Sequence, residues 1–402
     1  MQLYILNSNY EIEGMIDAAE SILWNKKYND VGYCEIYIPC DEDMLALLRR
    51  GNYVYRFDDD MFCKIETVEI ETDAENGNYI IATANDMNNI LAGRIVRWQI
   101  VYSGTVAGFI KQILVDNIIN PAQSQRKIPN FEIDESNFSE FTEKIDATTQ
   151  AEDILQLIMA TCKAYNYGFR VSYNINSQKI VFRLYKGENK ATVQSEKYIE
   201  FSPAFANILS SNYKEDESNY KNIAYVGYTN SNEEFALLSM FNGSSESSGE
   251  ARREVYVDGT QQSREITLDE LKKLFPTVYR TDNTYYIDDS TGETIAVATV
   301  EVTENPETGE TEEKITVTDY SFMLIIQRLG RFALADHTKK QSISGEVDTI
   351  DTYEYKVDYD LGDIVKVVND YGISAEAQIT EIMESEDNES GYVIEPKFEY
   401  DY

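Results

Sequence analysis

A single histidine, His337, stands in 402 residues. A serine-hydrolase triad or a histidine-ligated metal would have to rest on it alone. Its place just ahead of Lys339 and Lys340, where a helix reads as ending, suits a basic group at the negative end of a helix dipole. G-x-S-x-G, H-E-x-x-H, a Walker lysine loop and a G-x-G-x-x-G after a strand are all missing. The four cysteines, Cys34, Cys40, Cys63 and Cys162, have no C-x-x-C spacing and lie in apolar segments, as buried free thiols do. These absences lead us to expect no catalytic residues, no metal and no cofactor. No run reaches about 18 apolar residues. The start "MQLYILNSNYEIEG" has neither the basic nor the apolar region of a signal peptide, so the expectation is a chain folded in a cytoplasm, without a membrane span.

Positive charge is also scarce. Against 71 Asp plus Glu stand 35 Lys plus Arg, a formal net charge of -36, which excludes tight binding to a phosphate backbone by counterion release. The run Asp58, Asp59, Asp60 lacks the spacing of a calcium loop and falls where a hairpin must turn. "NGSSESSGE", residues 242 to 250, has no following helix with a lysine and reads as a surface loop. Among the many acids no pair stands out as glycosidase carboxylates.

What is present is a core-forming, β-prone chain. Hydrophobic residues make up 43%, enough on this length for two to four domains, and 30 Tyr with 16 Phe favour strands. Residues 1 to about 95 alternate as short strands, "QLYILN", "CEIYIP", "NYVYRF", "CKIETVEIE" and "NYIIATA", with turns at "DDD" and "AENGN"; "EDMLALLRR" and "NDMNNILAGRIV" read as short helices between them. Apolar residues at helical spacing predict a helix over 103 to 119, and a Thr149/Glu152 capping box predicts another running through Cys162, followed by a hairpin over "FRVSYNINSQKIVFRLY". Thr267 and Glu270 predict a further capped helix. Residues 284 to 317 read as an acidic three-stranded meander with Asp/Ser/Gly and Asn-Pro turns, projecting into solvent. "DYSFMLIIQRLGRFALADH" then reads as a helix, and the last 60 residues return to alternating strands.

One pattern occurs twice. Gly51-Asn52 opens an alternating strand through Val54, an acidic turn, and an exit strand with Ile65 and Val68; Gly362-Asp363 opens a strand through Val365, a turn with Gly372, and an exit strand with Ile379 and Ile382. The glycines suit backbone conformations that other residues resist. The second copy is three residues longer between its Gly and its exit Ile.

The segments "GYCEIYIP", "RRGNYVYRF", "CKIETVEIE" to "NDMNNILAGRIV", "ARREVYVDG" and above all "YDLGDIVKVVNDYGISAEAQITEIMES" resemble the tail-hub proteins of long-tailed bacteriophages, a group that includes baseplate hubs and the N-terminal part of tail-associated lysins. The resemblance runs from end to end except for the meander at about 281 to 319, which looks like an insertion. It implies an α+β, β-rich fold: a first β-barrel-like tube domain over 1–100, a helical and α+β middle over 101–228, an inserted loop, helix and meander over 229–320, and a helix with a second related tube domain over 321–402. It also implies a homotrimer whose six tube domains adapt a threefold ring to a sixfold tube. The implied partners are the distal tail ring, the tail tube, the tape-measure protein and tail fibres or receptor-binding proteins, with DNA passing an acidic channel unbound and the protein residing in the virion. The lysin regions of larger members do not follow the last strand, "YVIEPKFEYDY", so no cell-wall degradation is expected. Two other readings stay open: a carbohydrate- or receptor-binding tail protein using Trp24 or Trp98 in a groove, and a tail-associated hydrolase using paired carboxylates.

Overall fold

The computed structural model describes residues 1–73, 77–192, 197–289, 293–304, 311–345, 347, 352–388 and 391–400. The turn expected at "AENGN" lies largely outside these, as does the Asn305-Pro306 turn of the meander.

The principal sheet has 13 strands: β1 (Leu3–Leu6), β2 (Ile12–Ile16), β3 (Ser21–Lys27), β4 (Tyr33–Pro39), β5 (Tyr53–Tyr55), β6 (Phe62–Asp73), β7 (Gly77–Asp86), β8 (Glu200–Phe201), β9 (Asn212–Asp216), β10 (Lys340–Ser344), β11 (Ile364–Val368), β12 (Ser374–Asp387) and β13 (Gly391–Tyr400). Period-two alternation sets one face of each strand inward, so in β4 Cys34, Ile36 and Ile38 are buried while Tyr33, Glu35 and Tyr37 are not. The spatial order is β9-β10-β13-β12-β3-β4-β7-β6-β5-β1-β2, with β11 pairing β12 and β8 pairing β11. N-terminal and C-terminal strands therefore form one continuous sheet, joined where β3 lies antiparallel to β12. Each half has its own core: Trp24, Ile36, Val54 and Ile65 in the first, Phe201, Ile343, Ile379 and Phe398 in the second. The fold is β-rich α+β, and among the described residues no closed barrel is found.

Helices follow their caps. Asp41 caps α1 (Glu42–Leu47) and Thr105 caps α2 (Val106–Leu114), which runs on into a wider turn over Val115–Ile119. The expected capping box at Thr149 does not form. Thr149 ends the strand Lys144–Thr149, Ala151 turns the chain at φ 59°, and the Asp153 carboxylate instead accepts the Gln156 N–H at 3.0 Å to start α3 (Ile154–Tyr165). Strand pairing of residues 144–149 with Ile100–Thr105 outweighs the local capping signal. Thr267 and Glu270 do form a capping box on α4 (Leu268–Leu274), and α5 (Asp319–Asp336) ends on His337. The meander strands Thr284–Asp288, Thr294–Glu304 and Thr311–Val317 gain two short flanking strands. Instead of standing wholly in solvent, they bury Tyr285, Val297, Val300 and Ile315 with Phe322 and Ile325 of α5. Among the described residues no helix is long and apolar enough to cross a membrane.

Moving the helix start leaves Glu152 in a partly buried turn, where burial pushes its carboxyl up to about 7 from an ordinary 4.5. The folded protein thus takes up this proton as pH falls through 7. The resulting stability is complete below 4.5 and lost as pH rises through 7. Glu152→Gln is expected to stabilise the protein by about 1–2 kcal/mol at pH 8, after allowance for partial solvation, and by less at pH 5. Thermal melts at the two pH values check this.

Candidate functional site

The two copies of the repeated hairpin share one backbone scheme. In each, the glycine lies at positive φ, 95° at Gly51 and 97° at Gly362. Each glycine donates its N–H to the exit isoleucine, Gly51 to Ile65 O and Gly362 to Ile379 O, both at 2.8 Å. Each isoleucine N–H returns to the carbonyl after the glycine, Ile65 to Asn52 O and Ile379 to Asp363 O, again at 2.8 Å. Val54 pairs with Cys63 as Val365 pairs with Ala377. A bulge follows at once, between Ile65 and Thr67 and between Ile379 and Glu381. Beyond it, a position in the first copy plus 314 is its counterpart in the second: Asp73 pairs Gly77 as Asp387 pairs Gly391, and Ile65 pairs Ala84 as Ile379 pairs Phe398.

The eleven motif residues fall into two clusters, not one site. Val54 and Ile65 are buried and Val68 half-buried in the N-terminal core; Val365, Ile379 and Ile382 are buried in the C-terminal core. Gly372, at φ 78°, closes the turn of the second hairpin through its N–H to Asn369 O at 3.1 Å. The copies differ beyond the hairpin, since β5 pairs antiparallel with β1 whereas β11 pairs parallel with β8. Their polar residues differ too. Asn52 Nδ2 donates to Leu47 O at 3.0 Å, holding the end of α1. The Asp363 carboxylate accepts from Lys190 Nζ at 2.6 Å and from the Glu188 N–H at 2.7 Å, drawing in the middle of the chain.

The junction between sheet halves is made by β3 on β12, with Trp24 opposite Glu384 and Asn25 opposite Met383. Glu384 is only 1% exposed, and it stays polar there because Arg56 Nη1 reaches it at 3.0 Å and the Tyr392 hydroxyl donates to it at 2.6 Å. The Arg56 guanidinium also lies 5.3 Å from the Trp24 ring centre.

Next to the junction, a cleft of about 700 Å³ opens between the Asp58–Asp60 turn and the Asp360–Asp363 turn. Its acids are engaged. Asp59 takes Lys26 Nζ at 3.3 Å, Lys356 Nζ at 2.6 Å and the Met61 N–H at 2.7 Å; burial works against its charge, but the two lysines outweigh it and hold the carboxyl well below the ordinary range. Asp60 holds Lys26 at 2.9 Å and Arg183, and Asp58 holds Arg56 at 2.6 Å. Behind them, the fully buried pair Arg170–Asp86, at 2.7 Å, ties the strand Gly168–Asn174 to the end of β7. The arrangement offers fixed mutual neutralisation across three regions of the chain. That suits a rigid weld better than a nucleophile or a free general base.

Sequence reading missed Lys26, Arg56, Arg170, Lys190 and Glu384. The signal was local and partial: Lys26, Arg170 and Glu384 are charged residues at inward positions of strands, while Arg56 and Lys190 lie in connecting segments. Of the residues weighed for other chemistry, Asp58, Asp59 and Asp60 belong to this weld and Trp24 packs under Arg56 beside it, whereas His337 and Trp98 lie apart. His337 Nδ1 lies 2.7 Å from Ala333 O at the end of α5. Trp24 is fully buried, so it cannot line an open groove, whereas Trp98 is exposed beneath Arg97.

A β-rich scaffold with paired internal hairpins and a charge-welded junction defines a structural protein. The chain matches the model of the Siphovirus ReqiPepy6 Gp37-like proteins over residues 2–398 and belongs to that family of phage tail proteins. Solved structures similar to it include prophage tail protein gp18 from Listeria monocytogenes EGD-e, at 12% identity over 99% of this chain and 94% of that one, with a TM-score of 0.44. The tail protein from Neisseria meningitidis MC58 shows 11% identity over 99% and 96%, TM-score 0.49. The prophage MuSo2 43 kDa tail protein from Shewanella oneidensis shows 9% over 99% and 98%, TM-score 0.47. No curated protein matches the chain.

Proposed function

We propose that this tail protein is the hub of a tail tip or baseplate, a homotrimeric ring that adapts the sixfold tail tube to the distal tip and leaves a channel for DNA. The observation that carries this reading is the shared register of the two hairpins, each followed by its bulge and long β-ribbon. Two equivalent units per chain turn three copies into six similar positions, which is how a threefold object can meet a sixfold one. Each half of the principal sheet is then a tube domain, at roughly residues 1–100 and 321–402, that completes its barrel-like wall only in the ring. The inserted segment (229–320) and the middle (101–228), apart from β8 and β9, which join the sheet, sit outside that wall. The glycines and isoleucines of the hairpins are architectural in this reading, and the protein is not an enzyme. Part of the -36 net charge lines the channel, so that DNA slides without binding. The ring meets the tail tube and tape-measure protein on one side, and the distal tail ring with fibres or receptor-binding proteins on the other.

Native mass across a concentration series, with negative-stain averages of the same sample, tests the reading. A trimer with a central hole is expected. A strict monomer at the highest concentration, unchanged when the distal tail protein is added, overturns it.

A further inference from the structure

Two of the open edges of the sheet match a contact that the chain already makes within itself, which serves as a template for joining them. β12 is shared: β11 covers Ser374–Gln378, and β3 covers Glu381–Asp387 on the same side. β6 is the counterpart of β12. Its first residues, Phe62–Lys64, are covered by β5, but along Thr67–Asp73 no strand among the described residues takes the place that β3 takes on β12. An uncovered seven-residue edge is a ready template for another strand. Ile70, which corresponds to the buried Glu384, is 52% exposed there.

The strand that corresponds to β3 also has a free side. β3 pairs β4 with Trp24 opposite Cys34, and Cys34 sits opposite Ala84 of β7. In the second half, Tyr213 of β9 is opposite Ile343 of β10, and Ile343 is opposite Phe398, the counterpart of Ala84. β9 therefore stands where β3 stands, with Tyr213 in the role of Trp24. β3 goes on to pair β12, whereas β9 is the last strand of the sheet.

We infer that β9 of one copy pairs antiparallel with β6 of the next, repeating between chains the β3–β12 junction found within the chain. The register follows from the template. Trp24 opposite Glu384 becomes Tyr213 opposite Ile70, Asn25 opposite Met383 becomes Lys214 opposite Glu69, and Lys27 opposite Glu381 becomes Asp216 opposite Thr67. The pairing covers the exposed Ile70 with a tyrosine ring and sets opposite charges, Lys214 and Glu69, directly across the strands, an arrangement that favours this register. Among the described residues Lys214 is held by the Asp216 carboxylate of its own strand alone, and it is largely exposed, so it is available to the neighbour. The contact joins two different surfaces, which generates a closed ring when the rotation closes. The inference rests on the trimeric hub reading and adds the surface through which the ring forms.

The test uses the full chain with Cys40 replaced by serine, carrying Lys214→Cys and Glu69→Cys. Mild oxidation is expected to give covalent dimers and a closed trimer on a non-reducing gel, with nothing larger. The off-register combination Lys214→Cys with Glu71→Cys is expected to cross-link far less. Separately, Lys214→Glu is expected to weaken assembly, and adding Glu69→Lys to restore it. A trimer by native mass that shows neither the cross-link nor the charge-swap rescue overturns the inference and leaves the hub reading intact. Absence of any trimer, with the distal tail protein added as well, overturns both.

Discussion

Arg170→Ala is expected to lower the free energy of unfolding by about 3–5 kcal/mol, the scale on which a buried charge loses its partner. Arg170 is 1% exposed and its carboxylate partner Asp86 is also 1% exposed. Asp86 keeps the Gly32 N–H at 3.1 Å and the Asn88 N–H at 2.7 Å after the substitution, but loses the one positive group in direct contact with it among the described residues. Burial already pushes the Asp86 carboxyl up to about 6, against the pull of Arg170 and the two N–H groups. Without Arg170 its pKa rises further. The sign of the pH dependence follows: with a folded pKa above the ordinary 3.8, stability is recovered as pH falls through the folded value and lost as it rises. The deficit of Arg170→Ala should therefore be larger at pH 8 than at pH 5.5. Denaturant titrations at both values check this, and a deficit independent of pH would show that lost packing dominates. Replacing both partners, with Arg170→Met and Asp86→Leu together, is expected to recover only the part of the loss that comes from the unpaired charge, because Asp86→Leu also removes the acceptor of the Gly32 and Asn88 N–H groups.

That pair also marks where sequence reading stops. The repeated hairpin was legible because everything that defines it is local: a glycine, a polar residue after it, and two inward exit residues three apart, Ile65 with Val68 and Ile379 with Ile382, one on each side of a bulge. The helices with clean apolar spacing, α2 and α5, were legible for the same reason. Thr149 and Glu152 carried a valid capping pattern, yet strand pairing of residues 144–149 took precedence, which no local window reveals. The junction itself joins β3 to β12, more than 300 residues apart in the chain, and no periodicity distinguishes a strand that pairs with its neighbour from one that pairs across the whole protein. The charged residues of the weld were invisible as a group for a like reason. Lys26, Arg56, Arg170 and Glu384 come from four separate strands or turns, and only the assembled sheet makes them neighbours. The two short strands β8 and β9, from the middle of the sequence, enter the principal sheet without any length or pattern that announces it.

The two hairpin glycines share one backbone conformation but not one environment, and this separates two costs that are usually confounded. Gly51 has nothing within 4 Å of where a Cβ would sit, so Gly51→Ala is expected to cost only the backbone strain of an L-residue at positive φ, about 1–2 kcal/mol. At Gly362 the same Cβ would lie 2.3 Å from Cε2 of Tyr28. Tyr28 is fully buried, its hydroxyl donates to Asn166 O at 3.1 Å, and its ring meets Tyr185 edge-on at 5.4 Å, so it has little room to withdraw. Gly362→Ala therefore adds overpacking of about 1–3 kcal/mol to the same backbone term and should destabilise clearly more than Gly51→Ala. Combining Gly362→Ala with Tyr28→Leu should cost less than the two single losses added together, since removing the ring removes the clash, whereas Gly51→Ala with Tyr28→Leu should be additive. Equal losses at the two glycines would mean that the close approach to Tyr28 relaxes freely. The second hairpin would then be held by its hydrogen bonds alone, as the first one is at this position, and Tyr28 would have no part in fixing β11 against the middle of the chain.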